Sequence, residues 1–341
     1  MPAPTPVVSV LLPVRNGSAT LAAAVESVRR QTVADWEIVA VDDGSDDDTR
    51  DVLRSLADSD SRIRPVFCPP RGIVPALNTA IEVSRAPLLA RMDADDICLP
   101  TRFERQLEHL SDHAETGLVS CLVEFGGDRS QQAGYAAFVD WINSLVGPHA
   151  IALNRFVESP LAHPSVMFRR CCLEDGGSYR DGCFPEDYEL WLRWLECGVR
   201  MEKVPAPLLV WNDPPDRLSR TDQRYAMRAF YQCKAEYLAR WLATNNPHHP
   251  DVHVWGAGRL TRKRAEMLTE HGVRIVAYID IDPKSIGQVI HGRPVLSSEN
   301  LPPPENAFVV SYVGSRGARD DIRQRLCDKG YRDGRDCIMA A

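Results

Sequence analysis

Short runs of branched apolar residues alternate in strict turn with amphipathic segments through the first hundred residues, and no other feature narrows the fold as far. Apolar runs at 7–12, 36–41, 63–67 and 88–92 predict strands, while 19–30, 49–56, 73–84 and a stretch opening at Pro100 predict helices. Such alternation requires right-handed crossovers, and therefore a parallel sheet covered on both faces. Ligands of these sheets gather beyond the carboxyl ends of the strands. Acidic residues stand at two of those ends: Asp42 and Asp43 after the second strand, and Asp93, Asp95 and Asp96 after the fourth. Carboxylates crowded at one sheet edge repel one another and call for a cation, and their hard oxygens suit Mg2+ or Mn2+. A bare Asp-x-Asp also arises in solvated acidic loops. Asp46 to Asp48, just ahead of a helix, read as N-cap material.

With 341 residues, 44% of them hydrophobic, the chain exceeds what one core usually holds and predicts two domains. The first spans 1–245. Within it, HPSVMFRR (163–170) precedes FPEDYELWLRWLECG, where Trp191, Trp194 and Leu195 give a helix an apolar face and Gly198 stops it. Ser219 with Asp222 resembles a capping box, opening a helix to roughly Leu242. After the turn-prone stretch 245–250, residues 251–341 repeat the alternation as a small Rossmann-like α/β domain. Its Gly256-Ala257-Gly258, with Asp280 further on, has Thr261 where a dinucleotide fingerprint wants a third glycine, so packing or acceptor recognition is the stronger reading.

A formal net charge of -7 gives no global attraction to nucleic acid. The ten cysteines show neither CxxC pairs nor regular spacing and read as reduced thiols. With no basic leader and no run of 18 apolar residues, a cytoplasmic chain without a transmembrane segment is expected.

The blocks VSVLLPVRNG, WEIVAVDDGSDDDT, RGIVPALNTAI, LLARMDADDICLP, HPSVMFRR and PEDYELWLRW follow one another between residues 7 and 195. In that order they resemble the family 2 glycosyltransferases of the GT-A fold. The resemblance implies a Rossmann-like, mostly parallel catalytic sheet, and inverting, metal-dependent sugar transfer from a UDP-sugar (galactose, glucose or an N-acetylated form). It further implies that Pro13 and Asp42 or Asp43 line the nucleobase pocket, that Asp93 approaches the ribose or sugar, and that Asp95 binds the metal. Arg71 and Asn78 fall near the nucleotide. Asp187 is the implied general base, with His163, Glu186 and Trp191 as possible acceptor or donor contacts. Physical reasoning agrees on Asp187, because an inverting base must face the metal across the site, and the first turn of a helix favours an ionised carboxylate. Without the resemblance, Glu186 and Asp187 could simply complement the helix terminus.

The family 2 region together with this tail (VWGAGRLTRKR, VAYIDIDPKSI, RPVLSSENLP) resembles a narrower group. This is the queuosine-tRNA galactosyltransferases, also described as β-1,3-N-acetylglucosaminyltransferase-like proteins, so the implied acceptor is either a glycan or a modified tRNA nucleoside. Three basic clusters bear on the second acceptor: Arg220, Arg224 and Arg228 at helical spacing opposite Ala226, Phe230, Cys233, Tyr237 and Trp241; Arg259, Arg262, Lys263 and Arg264; and Arg316, Arg319, Arg323 and Arg325. Solvated helix faces have the same composition. The alternatives from other classes are a non-catalytic nucleotide-sugar or dinucleotide sensor, and a nucleotidyltransferase that would release pyrophosphate.

Overall fold

The computed structural model describes residues 5–214, 217–315 and 317–341. The chain forms two compact units, one from Met1–Ile151 with Pro160–Asp222, the other from Ala152–Ser159 with Gln223–Ala341.

The first unit is built on eight strands: β1 (Val8–Val14), β2 (Trp36–Asp43), β3 (Ile63–Cys68), β4 (Leu88–Arg91), β5 (Ile97–Cys98), β6 (Thr116–Phe125), β7 (Met167–Arg169) and β8 (Arg200–Trp211). Their order across the sheet is β3-β2-β1-β4-β7-β6-β8-β5. The first four run parallel, β7 is antiparallel to β4 and β6, β8 is parallel to β6, and β5 is antiparallel to β8. Every residue of β1 and β2 is buried, as a strand covered on both faces requires. The two-residue period of the strand sorts their side chains. Val8, Val10, Leu12, Ile38 and Ala40 enter one core with Val25 and Phe103, whereas Leu11, Val39 and Val41 enter a second with Leu77, Phe168, Trp191 and Trp194. Each fully buried valine or leucine contributes about 1.5–3 kcal/mol.

The expected helices form at Leu21–Arg29, Thr49–Ser59, Ile73–Val83, Arg102–Asp112 and Glu186–Glu196. The last ends as the sequence predicts, with Gly198 at φ 85° beyond its C-cap. The N-cap of the second helix is Asp48, whose side chain makes no cap hydrogen bond; Asp47 instead accepts the backbone N–H of Thr49 at 3.0 Å and that of Ser18 at 3.1 Å, fastening the loop after β1.

The expected single helix from Ser219 to Leu242 is not formed. A short helix Leu218–Thr221 ends where Asp222 turns extended at ψ 133°; a 3-10 turn covers Gln223–Tyr225; Ala226, again extended, precedes the long helix Met227–Asn245. Arg220, Arg224 and Arg228 therefore sit on three separate elements and make no common face. The long helix clusters with the second unit, although the sequence reading placed it in the first domain.

The second unit holds β9 (Asp251–Trp255), β10 (Arg274–Asp280), β11 (Val289–Ile290), β12 (Arg293–Ser297), β13 (Val309–Ser311) and β14 (Cys337–Met339), in the order β11-β12-β10-β9-β13-β14. All pairs are parallel except the β11-β12 hairpin. Gly256 lies at φ 107°, and a Cβ there would meet Thr261 Cγ2 at 2.7 Å and Val313 Cγ2 at 2.8 Å, so this glycine serves close packing. Asp280 Oδ2 accepts the N–H of Ala257 at 2.8 Å, which ties the carboxylate to its own loop. In the third basic cluster Arg316 lies outside the described residues, and Arg323 is committed to Asp333 and Asn154. None of the ten cysteines forms a disulfide. Among the described residues no helix is long and apolar enough to cross a membrane.

Candidate active site

The register of the parallel strands sets the acidic residues at one edge. Val14 of β1 pairs with Asp42 of β2, and Leu11 with Arg91 of β4, so β2 ends in Asp42 and Asp43 beside the segment 92–96 that leaves β4. The N–H of Met92 still bonds to Leu11 O at 3.1 Å, after which the chain turns and brings Asp93, Asp95 and Asp96 together. One carboxylate oxygen from each lies within 4.8 Å of the others.

These three carboxylates differ in surroundings. Asp96 is fully buried; its Oδ1 accepts the N–H of Asn212 at 2.8 Å, while Oδ2 is buried without a hydrogen bond. Burial, then the charges of Asp93 and Asp95, push its pKa well above the ordinary aspartate range. Asp95 is raised to about 6 by burial and by Asp93. Asn212 also donates its side-chain N–H to Asp95 O at 2.6 Å, fixing the turn that presents this aspartate. Asp93, about a quarter exposed, pairs with the guanidinium of Arg91. The Arg91 side chain is buried in the strand; burial opposes its charge, but Asp93 more than restores it and holds the pKa above the usual value.

Asp187 lies in the first turn of Glu186–Glu196, behind the N-cap Pro185, and its Oδ1 accepts the N–H of Tyr188 at 2.7 Å. Burial pushes its pKa to about 6, against the opposing pull of the Tyr188 amide and then of Arg91 and Arg217. Those two guanidiniums also act on Asp95. Arg217 is seated against aromatics, 4.4 Å from the Trp211 ring centre and 5.0 Å from that of Tyr135; its guanidinium bonds to the Tyr135 hydroxyl and lies 3.6 Å from Asp213. The implied metal ligand and the implied base thus share the field of the same two cations.

The other predicted residues divide into two sets. Asp42 and Asp43 are buried and already engaged: Asp42 accepts the N–H of Ser45 at 3.1 Å and Arg50 Nε at 2.7 Å, and Asp43 accepts the N–H groups of Arg71 and Gly72 at 2.7 and 2.8 Å. These bonds shape the loops at the end of β2. Pro13, also buried, pairs with Val41 beside them, and Arg71 is exposed on the loop that Asp43 holds. Asn78 donates to Tyr179 O at 2.9 Å and bridges to the segment ahead of Asp187.

Trp191 has no exposed surface and packs in the core against Trp194, ring centres 6.0 Å apart, so it offers no face to a ligand in this conformation. His163 and Glu186 are buried as well. His163 Nε2 meets the Tyr179 hydroxyl at 2.7 Å, its Nδ1 lies 3.9 Å from Glu186, and burial, then Arg91, hold the ring neutral by lowering its pKa. The sequence reading missed Arg91 and Arg217; Arg91 had a visible signal, being a lone cation inside the apolar run LLARM.

Residues 9–174 match the family described as "Glycosyl transferase family 2". The chain is 32% identical over 192 residues to the amylovoran biosynthesis glycosyltransferase AmsE of Erwinia amylovora, covering 54% of this chain and 67% of that one. It is 26% identical to the O-antigen biosynthesis glycosyltransferase WbnJ of Escherichia coli, covering 69% and 89%. Among solved structures, S. aureus TarS 1–349 in complex with UDP aligns with a TM-score of 0.51 at 16% identity, covering 69% of this chain and 72% of that one, which shows the GT-A type of fold. With the acidic cluster at the end of β4 and this run of relatives, the chain belongs to glycosyl transferase family 2 and is a glycosyltransferase.

Proposed function

We propose that the chain transfers a sugar, with inversion, from a UDP-sugar to an acceptor hydroxyl, using a divalent cation and Asp187 as general base. The observation that carries the reading is the shared field: Arg91 and Arg217 act on Asp95 and on Asp187 alike, as expected when both carboxylates border one cleft. The three clustered aspartates suit a hard cation, since their oxygens converge, like charge and burial raise the pKa of two of them, and Asp96 Oδ2 is buried with no hydrogen bond. Asp95 would hold Mn2+ or Mg2+, with Asp93 and Asp96 beside it. Such a cation, when bound, offsets the charge that grows on the departing diphosphate.

The acceptor oxygen attacks the anomeric carbon as the bond from that carbon to the diphosphate oxygen breaks, its electrons leaving with UDP. Asp187 takes the acceptor's proton late in this displacement. A carboxylate of pKa about 6 is ionised at neutral pH yet closer in proton affinity to its task than an exposed aspartate. In this reading Arg217 is assigned to the diphosphate, and Pro13, Asp42, Asp43 and Arg71 to the wall of the base pocket, with Asp42 and Asp43 acting mainly through the loops they hold. The neutral His163 keeps Tyr179 and Glu186 in place beneath the base.

For the acceptor, AmsE and WbnJ are named for amylovoran and O-antigen biosynthesis, which favours a glycan hydroxyl. The tRNA reading rests on the narrower resemblance and on the cluster Arg259, Arg262, Lys263 and Arg264, carried by the helix Arg259–Ala265. The test is a panel of UDP-sugars with and without Mn2+, reading released UDP. Metal-dependent UDP release that Asp187→Asn abolishes while donor binding persists supports the proposal; pyrophosphate release, or activity indifferent to Asp187, refutes it. Binding of bulk tRNA that weakens steeply with salt would move the acceptor to tRNA.

A further inference from the structure

We propose that His109, His113 and Glu202 form a binding site for one divalent cation of the zinc class, separate from the acidic cleft. A ring nitrogen of each histidine and a carboxylate oxygen of Glu202 lie within 4.8 Å of one another. His109 occupies the last turn of the helix Arg102–Asp112 and His113 is its C-cap, while Glu202 is the third residue of β8. β6 and β8 run parallel to β4 through β7, so the starts of β6 and β8 lie at the sheet edge opposite the one where Asp93, Asp95 and Asp96 gather. A cation here takes no part in sugar transfer.

The ligands are set up for a metal in three respects. The Nδ1 of His113 bonds to His109 O at 2.9 Å; a carbonyl only accepts, so Nδ1 carries the proton and the lone pair of the neutral ring is on Nε2, the arrangement a ligating imidazole needs. Glu202 is held from behind: Arg200 Nε donates to its Oε1 at 2.7 Å and the Thr116 hydroxyl to its Oε2 at 3.1 Å, leaving Oε2 facing His109 Nε2 at 2.6 Å. The two imidazoles stack with centres 4.4 Å apart at a helix C-terminus, whose dipole favours positive charge.

The neighbouring cations do not face the ligand oxygen. Arg200 is turned to Oε1, and Arg169 to the carbonyls of Thr116 and Leu110. Tetrahedral zinc sets nitrogen and oxygen ligands about 3.3 Å apart, so the three side chains need only close inward by rotation, with water in the fourth position. The cation replaces the proton between His109 Nε2 and Glu202 Oε2, which moves to Nδ1 of the same ring or to solvent. Two imidazoles with one carboxylate select zinc-like ions over Mg2+ or Ca2+.

The experiment titrates Zn2+, and separately Co2+, into the EDTA-stripped full chain, and into His113→Ala and Glu202→Gln. His113→Ala leaves the His109–Glu202 contact intact and so preserves the local fold; circular dichroism and the unliganded melting temperature verify this. The wild-type chain is expected to take one equivalent of Zn2+ more than His113→Ala, with at least a tenfold loss of affinity at that site in either variant. It should also give the visible Co2+ absorption of a four-coordinate site, absent from the variant, and a Zn2+-dependent rise in melting temperature that the variant lacks. Equal stoichiometry and affinity in wild type and His113→Ala, or a Co2+ spectrum with no imidazole contribution, overturns the proposal.

Discussion

Replacing Asp187 by Asn should abolish transfer and, in the same protein, make the catalytic unit more stable. The Asp187 carboxyl titrates near 6 in the folded chain instead of the ordinary 3.8, because burial disfavours its charge. Below both values folded and unfolded chains are protonated alike and the group is neutral to stability. As pH rises from about 4 to 6 the unfolded chain releases this proton first, so stability is lost across that window and stays lost above it. A gap of about two between the two pKa values, at ~1.4 kcal/mol each, makes the full cost about 3 kcal/mol at pH 8 and roughly half of that at pH 5. Asn keeps an oxygen for the Tyr188 N–H at 2.7 Å and removes the charge. The assay is thermal or urea unfolding of both proteins in EDTA at pH 5 and pH 8. Asp187→Asn should melt higher at pH 8 by roughly 6–12 °C, at 2–4 °C per kcal/mol, with a smaller gain at pH 5. No gain at pH 8, or the same gain at both pH values, would refute the claim that a desolvated charge sits at this position.

In the wild-type enzyme the same group should make kcat/KM fall as pH drops below about 6, with a plateau above it, measured by UDP release across pH 5–8. Asp95→Asn should leave the fold intact and remove metal stimulation, lowering kcat/KM by at least a hundredfold, as read from a Mn2+ titration of activity. Arg91→Met removes a buried cation from beside Asp93 and should destabilise by about 2 kcal/mol, since Asp93 is partly hydrated; urea unfolding checks it. Gly176→Ala drives a methyl into the Trp194 ring and should lower stability by about 1–3 kcal/mol without changing donor affinity in the protein that remains folded.

The alternating elements of the first hundred residues were legible because each rests on local signals that tertiary contacts reinforce: apolar β-branched runs for β1 and β2, and acidic residues at the end of β2, which the strand itself includes, and just past β4. The run from Ser219 to Leu242 failed for the opposite reason. Arg220, Arg224 and Arg228 keep helical spacing, but Asp222 and Ala226 are extended, and nothing in local composition requires that. Nor does the sequence indicate that Ala152–Ser159 leaves the first unit to join the second. Its contacts are non-local, as when Lys234 Nζ donates to Val157 O at 3.2 Å. The pairing of His109 with Glu202 spans 93 positions; only the four-residue spacing of His109 and His113 on one helix was open to a reader of the sequence.

The same limit explains why the acidic motif could be found by sequence and its electrical balance could not. Asp93, Asp95, Asp96 and Asp187, if all ionised, bring four negative charges to a region served by Arg91 and Arg217, a net of minus two, with Asp213 beside Arg217 balanced by Arg220. Burial and this repulsion raise the proton affinity of Asp95 and Asp96, and burial alone raises that of Asp187. In the proposed mechanism one divalent ion would offset that net charge and further favour the ionised form of Asp187. The two arginines set the size of the deficit. Had either been an apolar residue, one divalent ion would no longer balance the cleft; had a third cation been present, the cleft would hold its carboxylates ionised without metal, and the attraction that draws a cation to Asp95 would weaken. If the proposed cation binds at Asp95, its affinity is set in part by these two arginines, and substitutions at Arg91 or Arg217 should appear in a Mn2+ titration before they appear in donor selectivity.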